Sequence, residues 1–282
     1  MADGGNDLTA ADRFTTVFER ELVTLRRSRT VWLLGGSFLA AVVGIGLASG
    51  ANGYVPLVLT LMTPVELLVP VVSAAAGYRA VLADRVRGET SVLRTYPVGS
   101  GTYVAGVYCG RLVWVLGVVV ASLLAAGATV SVADPPADVL AQYSGLDSPV
   151  YYLRFVVLTA VFAAVVLALV VLLSSLVRTD RRGVVAALTF VVVLSFGADL
   201  LVLFGVAGGV VGGNALPWYL AMTPASAYRG LVTAYVVAPV AETAVRPAAP
   251  VASAVGLGVW FVLSLLAAGV VVWDASPYGR VE

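Results

Sequence analysis

Six apolar runs decide what this chain can fold into. They cover about 31–48, 55–78, 104–130, 154–177, 183–206 and 250–273. A bilayer core of about 30 Å is crossed by about 20 helical residues, and each run is close to that length or longer. Composition agrees: 60% of residues are hydrophobic and 12% charged, against about 45–50% and 25% in an ordinary soluble domain. A water-soluble fold has too little polar surface to draw on here. The expected class is an all-α integral membrane protein with six transmembrane helices. No internal repeat or soluble module interrupts the pattern, so 11–282 reads as one membrane domain behind a disordered 1–10.

The charges set an orientation. All 17 basic residues are Arg. Five precede the first run, four (Arg79, Arg85, Arg87, Arg94) lie in the loop after the second, and Arg178, Arg181 and Arg182 follow the fourth. The turn at 49–54 and the segment 131–153 have none, and 207–249 has only Arg229 and Arg246. Positive residues favour the cytoplasmic side, so both termini are expected in the cytoplasm of a multi-pass protein of the cell membrane. Arg154, at an outer end, runs against the trend. The polar, Arg-rich first thirty residues lack the pattern of a cleaved signal peptide.

Several chemistries are excluded. There is no His and a single Cys, Cys109, so an internal disulfide, a His/Cys metal site and a His-based triad are ruled out. With no Lys, a standard Walker lysine is impossible. No cofactor is expected on this chain, and no nucleic-acid partner.

Before the first run, Phe14, Val17, Phe18, Leu22 and Leu25 recur at helical spacing, with Arg13, Glu19, Arg20, Arg26 and Arg27 on other faces. This predicts an amphipathic helix over 11–29 lying in the membrane interface. The second run carries Glu66 and is interrupted by Pro64 and Pro70; the fifth carries Asp199. An acidic residue at mid-bilayer costs about 2.5–3.5 kcal/mol on insertion scales. Both should therefore face protein or water, either on a translocation path or holding helices together. Neither has an evident basic partner at its depth. Residues 214–249 hold four prolines (Pro217, Pro224, Pro239, Pro247) and predict short re-entrant helices before the last span, which lipid tolerates where protein covers the backbone.

The most charged internal stretch is 83–111. Asp84, Arg85, Arg87 and Glu89 form a charged helix end; Val92, Leu93 and Tyr96 offer an apolar ridge that Pro97 ends. Residues 98–101 read as a turn, with Tyr103 beginning the return to the membrane. Such a knob suits a partner's groove.

The order Asp84-Arg85-Val-Arg87-Gly88-Glu89-Thr90, Leu93, Tyr96-Pro97-Val98, Tyr103-Val-Ala-Gly106 and Gly110-Arg111 resembles the cytoplasmic loop of type-2 ATP-binding-cassette (ABC) exporter permeases. Phe18-Glu-Arg-Glu21-Leu22 with Arg26-Arg27-Ser-Arg29 is similar to that family's interfacial elbow helix. The resemblance implies an exporter permease that binds a separate ABC ATPase subunit, which carries ATP and Mg, and pairs with a second permease chain. It implies that 84–97 and the elbow helix (Phe14, Phe18, Glu21, Leu22, Arg26) sit against the ATPase. Some family members serve maturation of a copper enzyme; without His, and with one Cys, this chain is not expected to handle copper directly. The residues alone leave open an ion-coupled carrier using Glu66 and Asp199, or a non-transporting assembly factor.

Overall fold

The computed structural model describes residues 9–90, 95, 98–131, 147–209, 218–219, 222–240 and 249–274, with the backbone alone at 198–199, 201–202, 206 and 274. Among the described residues there is no strand. Five helical stretches among the described residues are long and apolar enough to cross a membrane: Arg29–Ser49, Tyr54–Val86, Ser100–Ser131, Pro149–Leu176 and Pro250–Trp273.

Helix α1 (Ala10–Arg27) starts on a reciprocal cap. The Thr9 hydroxyl accepts from the Asp12 amide, and the Asp12 carboxylate accepts from the Thr9 amide. This pairing satisfies two of the free donors of a first turn. Ser28 then takes an extended conformation and caps α2 (Arg29–Ser49) through its hydroxyl. The two helices are thus separate, as a helix lying beside the bundle and a span require.

Helix α3 (Tyr54–Gly77) runs unbroken through Pro64 and Pro70, so the predicted interruption does not occur. A proline removes one backbone donor, and neighbouring helices cover such positions in membrane bundles. The start of α3 is capped from a distance: Asp147 accepts from the amides of Tyr54 (2.9 Å) and Val55 (3.0 Å). A carboxylate there also meets the positive end of the helix dipole. After a turn, the short α4 (Leu82–Val86) carries the charged motif.

Two spans begin earlier than their apolar runs. Helix α5 (Ser100–Ala128) starts after Gly99, so the expected turn at 98–101 is already partly helix and Tyr103 lies within it. Helix α6 (Pro149–Leu176) starts on Ser148 with proline at its first position, a favoured opening. Arg154 therefore belongs to α6. It donates to the carbonyl of Tyr235 (3.1 Å) and stands 5.2 Å from the centre of the Tyr151 ring, which accounts for its place against the charge trend.

The expected fifth span is three abutting segments: α7 (Asp180–Val192), a π turn (Val193–Gly197) and α8 (Ala198–Ala207). Each alone is shorter than a span. The final helix is α10 (Pro250–Asp274). Between them, α9 (Pro224–Val232) is buried along most of its length against α6 and α10, and the π turn (Thr233–Val237) that follows it buries Val236. Tyr228 stacks on Phe162 (4.6 Å between ring centres) and shares a hydrogen bond with Thr159 (2.8 Å). Trp260 donates to the carbonyl of Met222 (2.8 Å). Thr159 and Trp260 each lie ten residues into their helices, about 15 Å at 1.5 Å per residue. Helix α9 therefore belongs to the interior of the bundle, while Met222 and Tyr235 on either side of it are exposed.

Helix α6 is the central element, packed on α3, α5, α9 and α10. Helix α1 seats on α5 along two glycines. A Cβ built on Gly110 would stand 2.6 Å from the Glu21 Cβ, and one on Gly106 would stand 2.8 Å from Val17. Real side chains do not approach so closely. Gly110→Leu should destabilise the protein by about 1–3 kcal/mol through overpacking and open 17–25 to protease. Gly117→Ala, with open space around it, should stay within about 0.5 kcal/mol. Thermal unfolding in detergent with limited proteolysis checks both.

Candidate functional site

The stripe of α1 that faces α5 is Val17, Glu21 and Leu25, at i, i+4, i+8. A carboxylate occupies the middle of the buried face. Glu21 has only 3% of its surface exposed and Arg111, opposite it on α5, 6%. Arg111 places Nε 2.9 Å and Nη2 2.8 Å from Glu21 Oε2, and its Nη1 donates to the Ala76 carbonyl of α3. One guanidinium thus joins α1, α3 and α5. Burying a lone charge costs several kcal/mol, so such a group persists only when paired and hydrogen-bonded.

A second node adjoins it. Asp84 of α4 is 2% exposed and accepts from three donors: Arg20 (2.6 Å) and the Tyr103 hydroxyl (2.7 Å) on Oδ2, and Arg87 (2.7 Å) on Oδ1. Arg20 also reaches Glu21 at 3.1 Å and Glu89 at 3.8 Å. Arg87 holds Glu89 at 2.8 Å. Three carboxylates (Glu21, Asp84, Glu89) and three guanidiniums (Arg20, Arg87, Arg111) thus form one charge-balanced knot. Burial opposes the charge on Arg20, but Asp84 and Glu21 outweigh it and push the guanidinium above its ordinary value. At Arg87 burial is likewise outweighed, by Glu89 and Asp84. Gly88 makes the turn that returns Glu89 to Arg87, with φ of 75°, a conformation that favours glycine.

Arg85 points the other way. It donates to the carbonyls of Ser175 (2.7 Å) and Val177 (2.8 Å) at the end of α6. The Ser174 hydroxyl accepts from the amides of Val81 and Leu82. Adjacent residues of α4 therefore pull in opposite directions, Asp84 to α1 and α5 and Arg85 to α6.

Of the sequence-predicted residues, Glu21, Asp84, Arg87 and Glu89 come together, with Gly88 at their turn. Phe14 and Phe18 stack at 6.0 Å; Leu22 is half-buried and Arg26 exposed, its carbonyl accepting from Trp32 (3.0 Å). Leu93, Tyr96 and Pro97, and the side chain of Asp199, lie outside what is described. Arg20 was not among the expected site residues. The signal for it was Glu21 itself: an acid between Val17 and Leu25 demands a cation within reach.

Glu66 corrects an expectation. It has a basic partner, Arg229, whose Nε lies 3.0 Å from Glu66 Oε1. Arg229 looked like part of an outer loop because 214–249 is broken by prolines, but α9 carries it into the bundle. The Glu66 side chain is 8% exposed and that of Arg229 33%. Among the described residues no group of three or more Cys, Asp or Glu could hold a metal ion.

This is a multi-helix membrane domain with an ionic knot at its arginine-rich end. No family model matches the chain. Two curated proteins do. A probable ABC transporter permease protein NosY of Pseudomonas aeruginosa is 27% identical over 228 residues, 76% of this chain and 79% of that protein. A probable ABC transporter permease protein NosY of Stutzerimonas stutzeri is 27% identical over 216 residues, 71% of this chain and 75% of that protein. Over 71–76% of its length the chain is therefore similar to proteins named as ABC transporter permeases.

The knot has a stability consequence. Glu21→Ala strands Arg111 and should cost about 3–5 kcal/mol, whereas Glu21→Leu combined with Arg111→Met should recover most of the loss. Thermal unfolding of the purified variants in one detergent separates the two outcomes.

Proposed function

We propose that this chain is the membrane-spanning permease subunit of an ABC exporter in the cell membrane, driven by ATP hydrolysis with Mg on a separate ATPase subunit. It works beside a second permease chain, identical or not. Segments α7, the π turn and α8 together make the fifth of six spans, and 222–240 is a re-entrant element before the last. Both termini are cytoplasmic. The loop over 84–97, with Asp84, Arg85, Arg87, Gly88, Glu89, Leu93, Tyr96 and Pro97, is the coupling element, and Glu66 and Asp199 mark the translocation path.

The observation that carries this reading is the way Asp84 and Arg85 divide the loop's attachments. A push on α4 passes through Asp84, Arg20 and Glu21 to α1 and α5, and through Arg85 to the end of α6. A solvated loop would not be tied to three helices by buried charges. Glu89 and Arg87 form the outward rim of the knot, with side chains 45% and 57% exposed, where a partner can reach them. The two permease relatives support a partner that is an ATPase.

The test is co-purification of tagged protein from its native membrane in mild detergent. An ATPase subunit should accompany the wild type, and Glu89→Ala with Arg87→Ala should lose it while the permease remains folded. Absence of any ATPase with the wild type would sink the reading. So would transport that is abolished by Glu66→Gln and collapses with the proton gradient, which is the signature of an ion-coupled carrier.

A further inference from the structure

The groove between the end of α6 and the outer face of α7 is the strongest feature that the knot and the transport reading leave unused. It has a volume of about 670 Å³ and is lined by Arg181 and Arg182 at one end and by Val185, Phe190 and Val193 along its length, with Leu173 of α6 as the facing wall. Its polar and apolar halves are separated along the helix. Both guanidiniums belong to the first turn of α7, and the apolar lining runs from there toward the π turn.

The arginines carry unbalanced charge. Among the described residues no acidic side chain lies within ion-pair distance of Arg178, Arg181 or Arg182, and the nearby Asp180 is held by Arg79 at 3.3 Å. The apolar part is open: Val185 is 57% exposed and Val193 58%. From Arg181 to Val193 the helix climbs twelve residues, about 18 Å. One leaflet of a 30 Å hydrocarbon core is about 15 Å deep.

From this match we infer that the groove is a binding site for an anionic phospholipid, its phosphate on Arg181 and Arg182 and one acyl chain along Val185 to Val193. Basic pockets between spans at the arginine-rich side suit such headgroups. A second copy of this chain is a poorer occupant. Two copies related by an axis along the membrane normal would bring their Arg181–Arg182 pairs to the same level, face to face. The inference needs only a membrane domain and does not rest on the transport reading.

The experiment measures thermal stability and retained lipid of the full chain in mild detergent, with added phosphatidylglycerol, phosphatidylcholine or sodium phosphate. Phosphatidylglycerol should stabilise the wild type and survive as a bound adduct in native mass spectrometry; phosphatidylcholine should do so far less. Arg181→Gln with Arg182→Gln should weaken phosphatidylglycerol binding about thirtyfold, given the usual contribution of a surface arginine to anionic-lipid binding. Val185→Trp should block the acyl chain while keeping the charges. Arg27→Gln with Arg29→Gln, on another part of the same basic end, should leave binding intact. Three results overturn the inference: equal loss in that control pair, equal stabilisation by sodium phosphate, or a change in oligomeric state in the Arg181/Arg182 variant with lipid binding unchanged.

Discussion

Charge taken out of water has to be met by charge, and that requirement organises one end of this molecule. Glu21 and Arg111 are both almost wholly enclosed, and each is tolerable only because the other is there. Their contact forces α1 down onto α5, and the close seat is possible because Gly106 and Gly110 remove side-chain bulk from α5. Once α1 is seated, Arg20 stands where Asp84 can reach it, and the polar segment after α3 folds back over the helices. Coupled through Asp84 and Arg20, these contacts behave as one unit.

Much of the architecture was legible in the sequence because hydropathy is a local property. The runs at 31–48, 55–78, 104–130 and 250–273 correspond to α2, α3, α5 and α10 within a few residues. The starts of α5 and α6 were missed by about four and five residues for a physical reason. Helix starts are set by caps, here Gly99 and Ser148-Pro149, while the apolar pattern reports only where lipid or core begins. Tyr103 and Arg154 are polar, so in the sequence they look like the edges of spans that in fact begin several residues earlier. Of the candidate site, the acids and arginines of 84–89 could be read as a unit because they are adjacent. Their partners Arg20, Tyr103 and Arg111 lie on other elements, and nothing in local spacing pairs them.

The Glu66–Arg229 contact shows the same limit more sharply. The two residues are far apart in sequence, and α9 sits in a stretch whose prolines resemble those of a surface loop. Two charges at the depth of Thr159 and Trp260 compensate each other there. Arg229 keeps a third of its side chain open, and a guanidinium at that depth must face protein or water rather than hydrocarbon.

Asp147 gives the bundle a property that the knot alone does not. It clamps the first turn of α3 from two residues before α6, while at the other end α4 and the turn that follows α3 are held to the end of α6 through Arg85 and Ser174. The chain of α3 and α4 is therefore tied to α6 near both of its ends. Parting α3 from α6 would mean breaking hydrogen bonds near both ends of the pair at once, so the two helices share one fate when the bundle opens.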